Sequence, residues 1–412
     1  MAGTTSTARR GAALPKAKAA GAKRARAGSG QPPRGAALPR AGVYNLPMES
    51  PEDVSALARL FASGDVLPEE VLCLLVKTEG NGLDNDFSRT LATRALGELF
   101  REQAGWSFED LLDRVTLMAS GGVEGVLSPH MLVFTRRGKP KAALSGNGRP
   151  RLAIGRAVTR RFKPAEVATK AQAEATRKAT LAAIRDAGLS GPDEVVYVQV
   201  KGAIPDGAAA LGLAGVRSPH QLKPAMRATS AAGVGRALGD VDDAEWEGDL
   251  SDASGAACPR CCVTASTDRP CSEVVVFGMS DRWQGDTAVA HTVMADMLDT
   301  PAVAALLARL GLAAGPQLDP AQRARLIGAV LKGDPPAEGR LRGARHVMWR
   351  DSDVHALRHF RAAMGAILAG LTGETKFYIS AGAERQGAPG ASLAVFARLA
   401  ADNPAAQAPA EK

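Results

Sequence analysis

Three lysines occupy the same place in three similar stretches of the sequence, and their type and spacing suit proton transfer. Lys77 ends the run Val-Leu-Cys-Leu-Leu-Val, Lys201 ends Val-Val-Tyr-Val-Gln-Val, and Lys332 ends Ile-Gly-Ala-Val-Leu. The intervals between them are 124 and 131 residues. A single lysine at a strand end is usually a solvated edge residue. Three at equivalent places predict a shared pocket, in which a neutral lysine takes the proton of a nucleophile.

Two serines recur at a second equivalent place. Ser120 and Ser380 each follow an apolar run and begin a turn with glycine, Ser-Gly-Gly in one case and Ser-Ala-Gly in the other. A serine hydroxyl attacks a carbonyl carbon when a base removes its proton, and the N–H groups of such a turn can hold the oxyanion. The two patterns together indicate acyl chemistry at a lysine–serine pair.

The elements that must position these residues repeat as well. Each unit contains helical stretches with apolar residues at i, i+3 and i+4, such as 54–62, 171–187 and 302–312. We therefore predict an α/β fold of three similar repeat units around a pseudo-threefold axis, where equivalent strand ends meet. The predicted units are 41–145, 151–288 and 293–402, and the glycine- and proline-containing stretches 138–150 and 313–320 are predicted linkers.

These segments resemble the ring-opening cyclic amide hydrolases, the family of cyanuric acid amidohydrolase and barbiturase. The matching stretches are Lys77-Thr-Glu-Gly-Asn-Gly, Ser120-Gly-Gly-Val-Glu-Gly, Val198-Gln-Val-Lys201, Arg342-Gly-Ala-Arg-His346, Asp351-Ser-Asp-Val354 and Ser380-Ala-Gly-Ala-Glu-Arg-Gln-Gly387. They extend over about residues 43–400. The resemblance implies a fold of three α/β units often described as Toblerone-like, and hydrolytic opening of a cyclic amide or imide such as cyanuric or barbituric acid.

The resemblance also implies roles for individual residues. Lys201 matches the family's base. The substrate-binding set would be Arg89, Arg227 and Arg358 with Lys77, Ser120, Gly121, Lys332, Ser380 and Ala381. A structural divalent metal, magnesium or calcium, would be held by Asp334 (a glutamate in the family), Ala383, Gln386, Gly387, Ala388 and Ala391. No organic cofactor is implied, and the family resemblance suggests a homotetramer. Arginine forks suit the carbonyl-rich edge of such a ring because they form paired hydrogen bonds.

The nucleophile of the second unit is left open by the sequence. The family has a serine there, but this chain has Cys258-Pro-Arg-Cys-Cys-Val-Thr-Ala-Ser266. Ser266 preserves the residue type, and Thr264 preserves the position on alignment to the family. Counting back from Phe277 gives 261–263, and Cys261 or Cys262 beside a lysine could attack as a thiolate. The remaining alternatives are that Ser120 or Ser380 has taken over, or that the protein is an inactive homologue that binds a small heterocycle or serves as an oligomeric scaffold.

The charge of the chain is concentrated at one end. The formal net charge is +8, yet residues 1–40 contain nine lysines and arginines and no acid, which leaves −1 for the remainder. We predict a disordered basic tail over 1–40, with an organelle transit peptide as the alternative. A near-neutral body argues against nucleic-acid binding, although the tail alone could associate with it.

The cysteines and the hydropathy indicate where the protein resides. No stretch approaches 18 consecutive apolar residues, so no membrane segment is predicted. Five cysteines without a secretion signal favour a reducing cytoplasm. Four of them cluster at 258–271, but the spacing C-x2-C-C-x8-C contains no histidine. We therefore favour ordinary thiols over a zinc site.

Overall fold

The computed structural model describes residues 37–400 apart from 83–84, 141–145, 147, 205–218, 252–257, 268, 313–314 and 387–389. The predicted basic tail lies almost wholly outside the described residues. Within them the chain forms three four-stranded sheets of the same topology. The prediction of three similar α/β units around a pseudo-threefold axis is confirmed.

The first sheet has the strand order β1-β4-β2-β3. Its strands are β1 (Arg40–Pro47), β2 (Val71–Lys77), β3 (Thr116–Ser120) and β4 (His130–Arg137). The helices are α1 (Ser55–Ser63), α2 (Ser88–Ala104) and α3 (Phe108–Arg114), and a 3-10 turn covers Pro68–Glu70. Strand β2 is parallel to β3 and antiparallel to β4. It is almost wholly buried, which explains why its sequence is a continuous apolar run and does not alternate.

The second sheet repeats this order as β5-β8-β6-β7. Its strands are β5 (Arg151–Val158), β6 (Val195–Ala203), β7 (Cys261–Ser266) and β8 (Glu273–Ser280). The helices are α4 (Lys170–Asp186), α5 (Pro219–Leu238) and α6 (Asp243–Glu247), with 3-10 turns at Pro164–Glu166 and Pro192–Glu194. Strand β6 is parallel to β7 and antiparallel to β8, as in the first sheet.

The third sheet has the equivalent order, β9-β14-β10-β13. Its strands are β9 (Thr287–Met294), β10 (Leu326–Gly333), β13 (Tyr378–Ala381) and β14 (Ala391–Arg398), and β11 (Arg340–Leu341) with β12 (Ala344–Arg345) forms a separate hairpin. The helices are α7 (Thr300–Arg309), α8 (Pro320–Arg325) and α9 (Ala356–Thr372). Because β9 pairs with β14 along its whole length, it belongs to this sheet, and the predicted boundaries at 288 and 293 fall inside it.

The three sheets agree in fine detail. The second strand of each has an irregularity in register, between Val71 and Cys73, Val195 and Tyr197, and Leu326 and Gly328. Each irregularity ends four residues before the lysine of its strand. One phenylalanine from each sheet contributes to a common contact. The ring centroids are 4.8 Å apart for Phe134 and Phe277, 5.1 Å for Phe134 and Phe396, and 5.2 Å for Phe277 and Phe396. This aromatic contact marks the pseudo-threefold axis.

The cysteines and the helices bear on two further predictions. All five cysteines are free and buried, as expected for thiols of the core. Among the residues that the structure describes, no helix is both long enough and apolar enough to cross a membrane.

Candidate active site

The strand register places a hydroxyl residue beside each of the three lysines. In the parallel pairs of second and third strands, Lys77 is the partner of Ser120 and Lys332 is the partner of Ser380. The same register in the second sheet pairs Lys201 with Thr264. The pairs lie at the carboxyl ends of parallel strands, where ligands of α/β sheets commonly bind. The three lysine–hydroxyl pairs are therefore structurally equivalent.

The first and third pairs have almost the same geometry. Lys77 Nζ donates to Ser120 Oγ at 3.3 Å and to the carbonyl oxygen of Gly121 at 2.9 Å. Lys332 Nζ donates to Ser380 Oγ at 3.1 Å and to the carbonyl oxygen of Ala381 at 3.1 Å. Both lysine side chains are buried. Each lysine is thus held by the residue that it could deprotonate and by the next carbonyl along the chain.

The register selects Thr264 among the candidates of the second unit. Ser266 pairs with Ala203, two residues beyond Lys201, and Cys262 pairs with Gln199, two residues before it. Because neighbouring strand residues point to opposite faces, Cys261 and Val263 do not share the face of Thr264. The positions 261–263, obtained by counting back from Phe277, therefore precede the residue opposite Lys201. Ser266 lies two residues beyond that residue, on the same face of the strand. Thr264 Oγ1 contacts Val200 O at 3.3 Å and Met118 Sδ at 3.5 Å.

Lys201 differs from the other two lysines in its surroundings. Its Nζ lies 3.6 Å from Oε1 of Glu273, and the two side chains are 3% and 0% exposed. The other carboxylate oxygen of Glu273 accepts hydrogen bonds from Thr116 Oγ1 at 2.8 Å and from Arg156 at 2.9 Å. A buried carboxylate of this kind requires positive partners. Glu273 therefore links Lys201 to a charge network that crosses from the second unit to the first.

Two arginines reach into the turn after a serine of a neighbouring unit. Arg227, in α5, donates twice to Glu384, with both distances 2.6 Å. Arg361, in α9, donates twice to Glu124 at 2.8 and 2.6 Å. Glu124 and Glu384 each follow their serine by four residues, so the two pairs are equivalent. Bidentate contacts of this kind fix the plane of a guanidinium before any substrate binds.

Glycine is needed where these arginines pass the turns. Gly122 and Gly382 stand two residues after Ser120 and Ser380 and have φ of +92° and +84°. A Cβ on Gly122 would lie 2.6 Å from Arg361, and a Cβ on Gly382 would lie 2.7 Å from Arg227. Both the left-handed backbone and the close guanidinium therefore exclude a side chain.

These contacts add Arg361 to the predicted arginine set, in which Arg358 stays a prediction. Arg361, and not Arg358, stands where Arg227 stands in the neighbouring unit. The Arg361 side chain is 10% exposed, whereas that of Arg358 is 41% exposed and lies 3.4 Å from Glu124. Arg358 and Arg361 are one helical turn apart on the same face of α9, so the sequence could not separate them. Arg89 lies in the first turn of α2, with Nε 3.9 Å from Asp86.

Burial and neighbouring charges tune the ionisable groups. Burial, reinforced by the charge of Arg361, lowers the pKa of Lys77 to about 7. Burial also lowers the pKa of Lys332. Burial alone would lower the pKa of Arg227, but the hydrogen bonds to Glu384 raise it above its ordinary value. A lysine with a pKa near 7 can act as a base at neutral pH.

Comparison with known proteins agrees with this geometry. The sequence model of the amidohydrolase ring-opening proteins matches residues 42–398. The chain belongs to this family. It is 40% identical to a cyanuric acid amidohydrolase of Methylobacterium sp. (strain 4-46) over 87% of this chain and 97% of that one. It is 37% identical to a cyclic amide hydrolase of Azorhizobium caulinodans, over 86% of this chain and 98% of the relative.

Solved structures of ring-opening amidohydrolases share the whole fold. One cyanuric acid hydrolase superposes with a TM-score of 0.79 at 33% identity and covers 88% of this chain and 100% of its own. A cyanuric acid hydrolase from A. caulinodans gives a TM-score of 0.76 at 36% identity, with 88% and 99% covered. The three units described here therefore correspond to the complete fold of these relatives.

The metal ligands implied for this family are only partly within the described residues, because Gly387 and Ala388 lie outside them. Asp334 accepts backbone N–H bonds from Gly382 at 2.6 Å and Ala383 at 2.5 Å. The Gln386 side-chain oxygen accepts from Val263 N at 2.5 Å, and Ala391 offers only its backbone. Among the described residues, no three acidic, histidine or cysteine side chains cluster as metal ligands. The metal therefore stays a prediction.

Sequence reasoning missed the carboxylates of the site. Glu124, Glu384 and Glu273 each neutralise a buried cation, but none was a candidate. A signal was present for Glu273, since a charged residue opens the apolar run Val-Val-Val-Phe of β8. A charge that begins a buried strand is rarely left without a partner.

Proposed function

We propose that this member of the family opens the ring of a cyclic amide or imide by hydrolysis, with cyanuric acid and barbituric acid as the first substrates to test. The observation that carries the proposal is the threefold set of buried lysine–hydroxyl pairs, with two arginines held rigidly beside them. The names of the relatives, cyanuric acid amidohydrolase and cyclic amide hydrolase, support the same substrate class.

The arginines suit a planar acidic ring. Arg227 and Arg361 each use two donor groups on a glutamate, and a guanidinium has five N–H donors in total. The remaining donors can bind carbonyl oxygens of the ring. We include Arg89 in this set because it lies in the first turn of the equivalent helix of the first unit. The three cations would favour the anionic form of the substrate over a neutral analogue.

A lysine–hydroxyl pair would start the reaction. The hydroxyl oxygen bonds to a ring carbonyl carbon while the lysine takes its proton, and the ring C–N bond then breaks as the nitrogen is protonated. Water hydrolyses the resulting ester and restores the hydroxyl. The family resemblance gives Lys201 the role of base, and the register makes Thr264 its partner. The Lys77–Ser120 and Lys332–Ser380 pairs also place a lysine amine beside a hydroxyl group.

The decisive experiment is a substrate screen with the purified protein. Cyanuric acid, barbituric acid, hydantoins and related rings are incubated with the enzyme, and loss of ring absorbance is followed. We expect one class to be consumed, and we expect Lys201→Ala to abolish the reaction because the base that the family resemblance implies is lost. A Lys201→Ala variant with full activity would contradict the role of Lys201.

The replacement of serine by Thr264 in the second unit favours one other function, a binding protein without catalysis. Calorimetric titration separates the two. If the rings bind at the arginines but are never consumed, the protein is a binding homologue. If Arg227→Gln abolishes both binding and turnover, the enzyme assignment stands.

A further inference from the structure

Three buried side chains stand beside the lysine–hydroxyl pairs and differ in chemistry. Met118, Cys262 and Tyr378 each lie two residues before the hydroxyl residue of their third strand, and all three are buried. Because alternate residues of a strand share a face, each points to the same side as that hydroxyl. We call these three the floor residues of the site. The repeated fold thus gives the site a floor of one thioether, one thiol and one phenol.

The floor residues reach across the boundaries between units. Met118, in β3 of the first unit, has its Sδ 3.5 Å from Oγ1 of Thr264 in the second unit. Tyr378, in β13 of the third unit, places its ring centroid 5.4 Å from Nζ of Lys77 in the first unit. The two contacts follow the same threefold relation, because each floor residue meets the lysine–hydroxyl pair of the next unit. Tyr378 therefore stands against the first pair as Met118 stands against the second.

The hydroxyl of Tyr378 is buried without a hydrogen-bond partner. The side chain is fully buried, and among the residues that the structure describes none forms a hydrogen bond with its Oη. Burial raises the pKa of Tyr378, and the neighbouring Ser120 hydroxyl opposes this rise, so the phenol keeps its proton at neutral pH. A buried hydroxyl without a partner lowers the free energy of unfolding. Such a group is expected where a ligand supplies the missing partner.

Two other polar side chains at the first pair are already engaged. Lys77 Nζ donates to Ser120 Oγ and to the carbonyl oxygen that follows it. His130, beside Lys77 in the antiparallel register, donates from Nδ1 to the carbonyl oxygen of Ser128 at 2.8 Å. Burial lowers the pKa of His130 to about 4, so its ring is neutral near pH 7 and Nε2 carries no hydrogen. The Tyr378 phenol is therefore an uncommitted neutral donor at this pair.

The other two floor residues cannot donate in the same way. The thioether of Met118 has no hydrogen to donate, and the thiol of Cys262 is a weak donor whose Sγ already accepts from Gln199 Nε2 at 3.4 Å. A phenol forms a stronger hydrogen bond, above all with an anionic acceptor. The rings of the proposed substrate class present carbonyl oxygens, which share the negative charge when the ring is ionised. An oxygen at the first pair therefore gains a hydrogen bond that the other floor residues do not offer.

We propose that Tyr378 is a further substrate-binding residue, whose hydroxyl donates a hydrogen bond to a ring oxygen held at the Lys77–Ser120 pair. The inference rests on the proposed ring-opening function. A carbonyl oxygen at this place satisfies the phenol, which the described protein groups leave without a partner. Because the second and third pairs have no equivalent donor among the floor residues, Tyr378 makes the first wall of the site different for an otherwise symmetric ring.

The test removes the hydroxyl and keeps the aromatic ring. On a cyclic amide that the wild-type enzyme consumes, we expect Tyr378→Phe to lower kcat/KM by about ten- to a hundredfold, because one hydrogen bond to the substrate is lost. The midpoint of thermal unfolding should not fall, since the deleted hydroxyl has no partner within the described protein.

Tyr197→Phe is the matched control. Tyr197 is also fully buried, and its hydroxyl likewise has no hydrogen-bond partner among the residues described, but it lies four residues before Lys201. We expect this variant to change kcat/KM by less than about threefold and to leave the midpoint of thermal unfolding unchanged or higher. The pair of variants separates the position of a hydroxyl from its burial.

A spectroscopic measurement reports the hydrogen bond itself. A phenol that begins to donate to a ligand changes its near-ultraviolet absorption, so mixing wild-type protein with the ring in a stopped-flow instrument should give a tyrosine difference spectrum before turnover. The signal should persist in Tyr197→Phe and vanish in Tyr378→Phe. Wild-type kcat/KM in Tyr378→Phe, or a tyrosine signal that is absent from wild type or retained in that variant, overturns the inference and leaves the proposed function standing. If the wild-type protein neither binds nor consumes any ring, the proposed function fails and the inference with it.

Discussion

The first and second lysine sites have the same backbone and different chemistry. Lys77 and Lys201 end equivalent strands, and each faces a hydroxyl residue in the parallel register. In the antiparallel register, however, Lys77 faces a neutral histidine and Lys201 faces a buried glutamate. A repeated fold therefore supplies equivalent positions, while the residue on the adjacent strand gives each lysine different electrostatic surroundings.

The largest expected effect comes from removing the guanidinium of Arg361, which Glu124 holds beside the turn after Ser120. Arg361→Gln should lower kcat/KM by about a hundredfold or more, since it takes away ring-binding donors and leaves buried Glu124 without its bidentate partner. Arg358→Gln is the matched control and should lose less than about tenfold, because this exposed side chain makes weaker contacts. Steady-state kinetics measure both. Equal losses would show that Arg358 shares the role.

Glu273→Gln tests the difference between the two sites directly. The substitution keeps size and shape but leaves Lys201 and Arg156 as buried cations without an anion. We expect the free energy of unfolding to fall by about 3 to 5 kcal/mol, measured by urea denaturation. The control is Glu98→Gln, in the exposed Arg94–Glu98 pair of α2, where no measurable change is expected. An unchanged midpoint for Glu273→Gln would mean that the network contributes little.

The pH dependence of the reaction tests whether Lys77 acts as a base. With Lys77 as the base and its pKa about 7, kcat/KM should fall about tenfold per pH unit below that value, because protonated Lys77 cannot accept a proton. The assay uses a ring whose own ionisation lies outside the range examined. A profile that stays flat well below neutral pH would remove Lys77 from this role.

The smallest effect is expected at Ser266, one of the candidate nucleophiles that the sequence left open. Ser266→Ala should change kcat by less than about threefold, because Ser266 pairs with Ala203 beyond the lysine and not with Lys201. Initial rates on the active substrate are sufficient to measure it. A loss of nearly all activity would mean that β7 shifts by two residues when substrate binds.

The sequence predicted the fold well because the repeat is carried by residues with strict backbone requirements. The apolar runs that end in lysine predicted β2, β6 and β10. The serine- and glycine-containing turns predicted β3 and β13, the third strands of the first and third sheets. The position of Thr264 was ambiguous because the turn before β8 differs in length from the turns before β4 and β14. Counting back from Phe277 in β8 crosses that turn, so its length affects the result. The pairing of β7 with β6 does not involve the turn and identifies the residue directly.

The side-chain contacts between units were beyond sequence reasoning. Arg361 and Glu124 are 237 residues apart, and Arg227 and Glu384 are 157 apart. Nothing local indicates that a helix of one unit reaches the turn of another, because that depends on how the sheets pack at the axis. The bidentate contact that distinguishes Arg361 from Arg358 is therefore visible only in the tertiary structure.

The contact of Phe134, Phe277 and Phe396 has a consequence for how such a protein can evolve. In a trimer of identical subunits, one mutation would alter all three walls of the central pocket at once. Here three covalently joined copies keep a common aromatic centre, while each wall mutates independently. His130, Glu273 and Ser392 occupy equivalent positions beside the three lysines and differ in type, which shows this divergence. A ring with near-threefold symmetry would thus meet an asymmetric set of side chains, which would distinguish one of its carbonyl groups from two chemically similar ones.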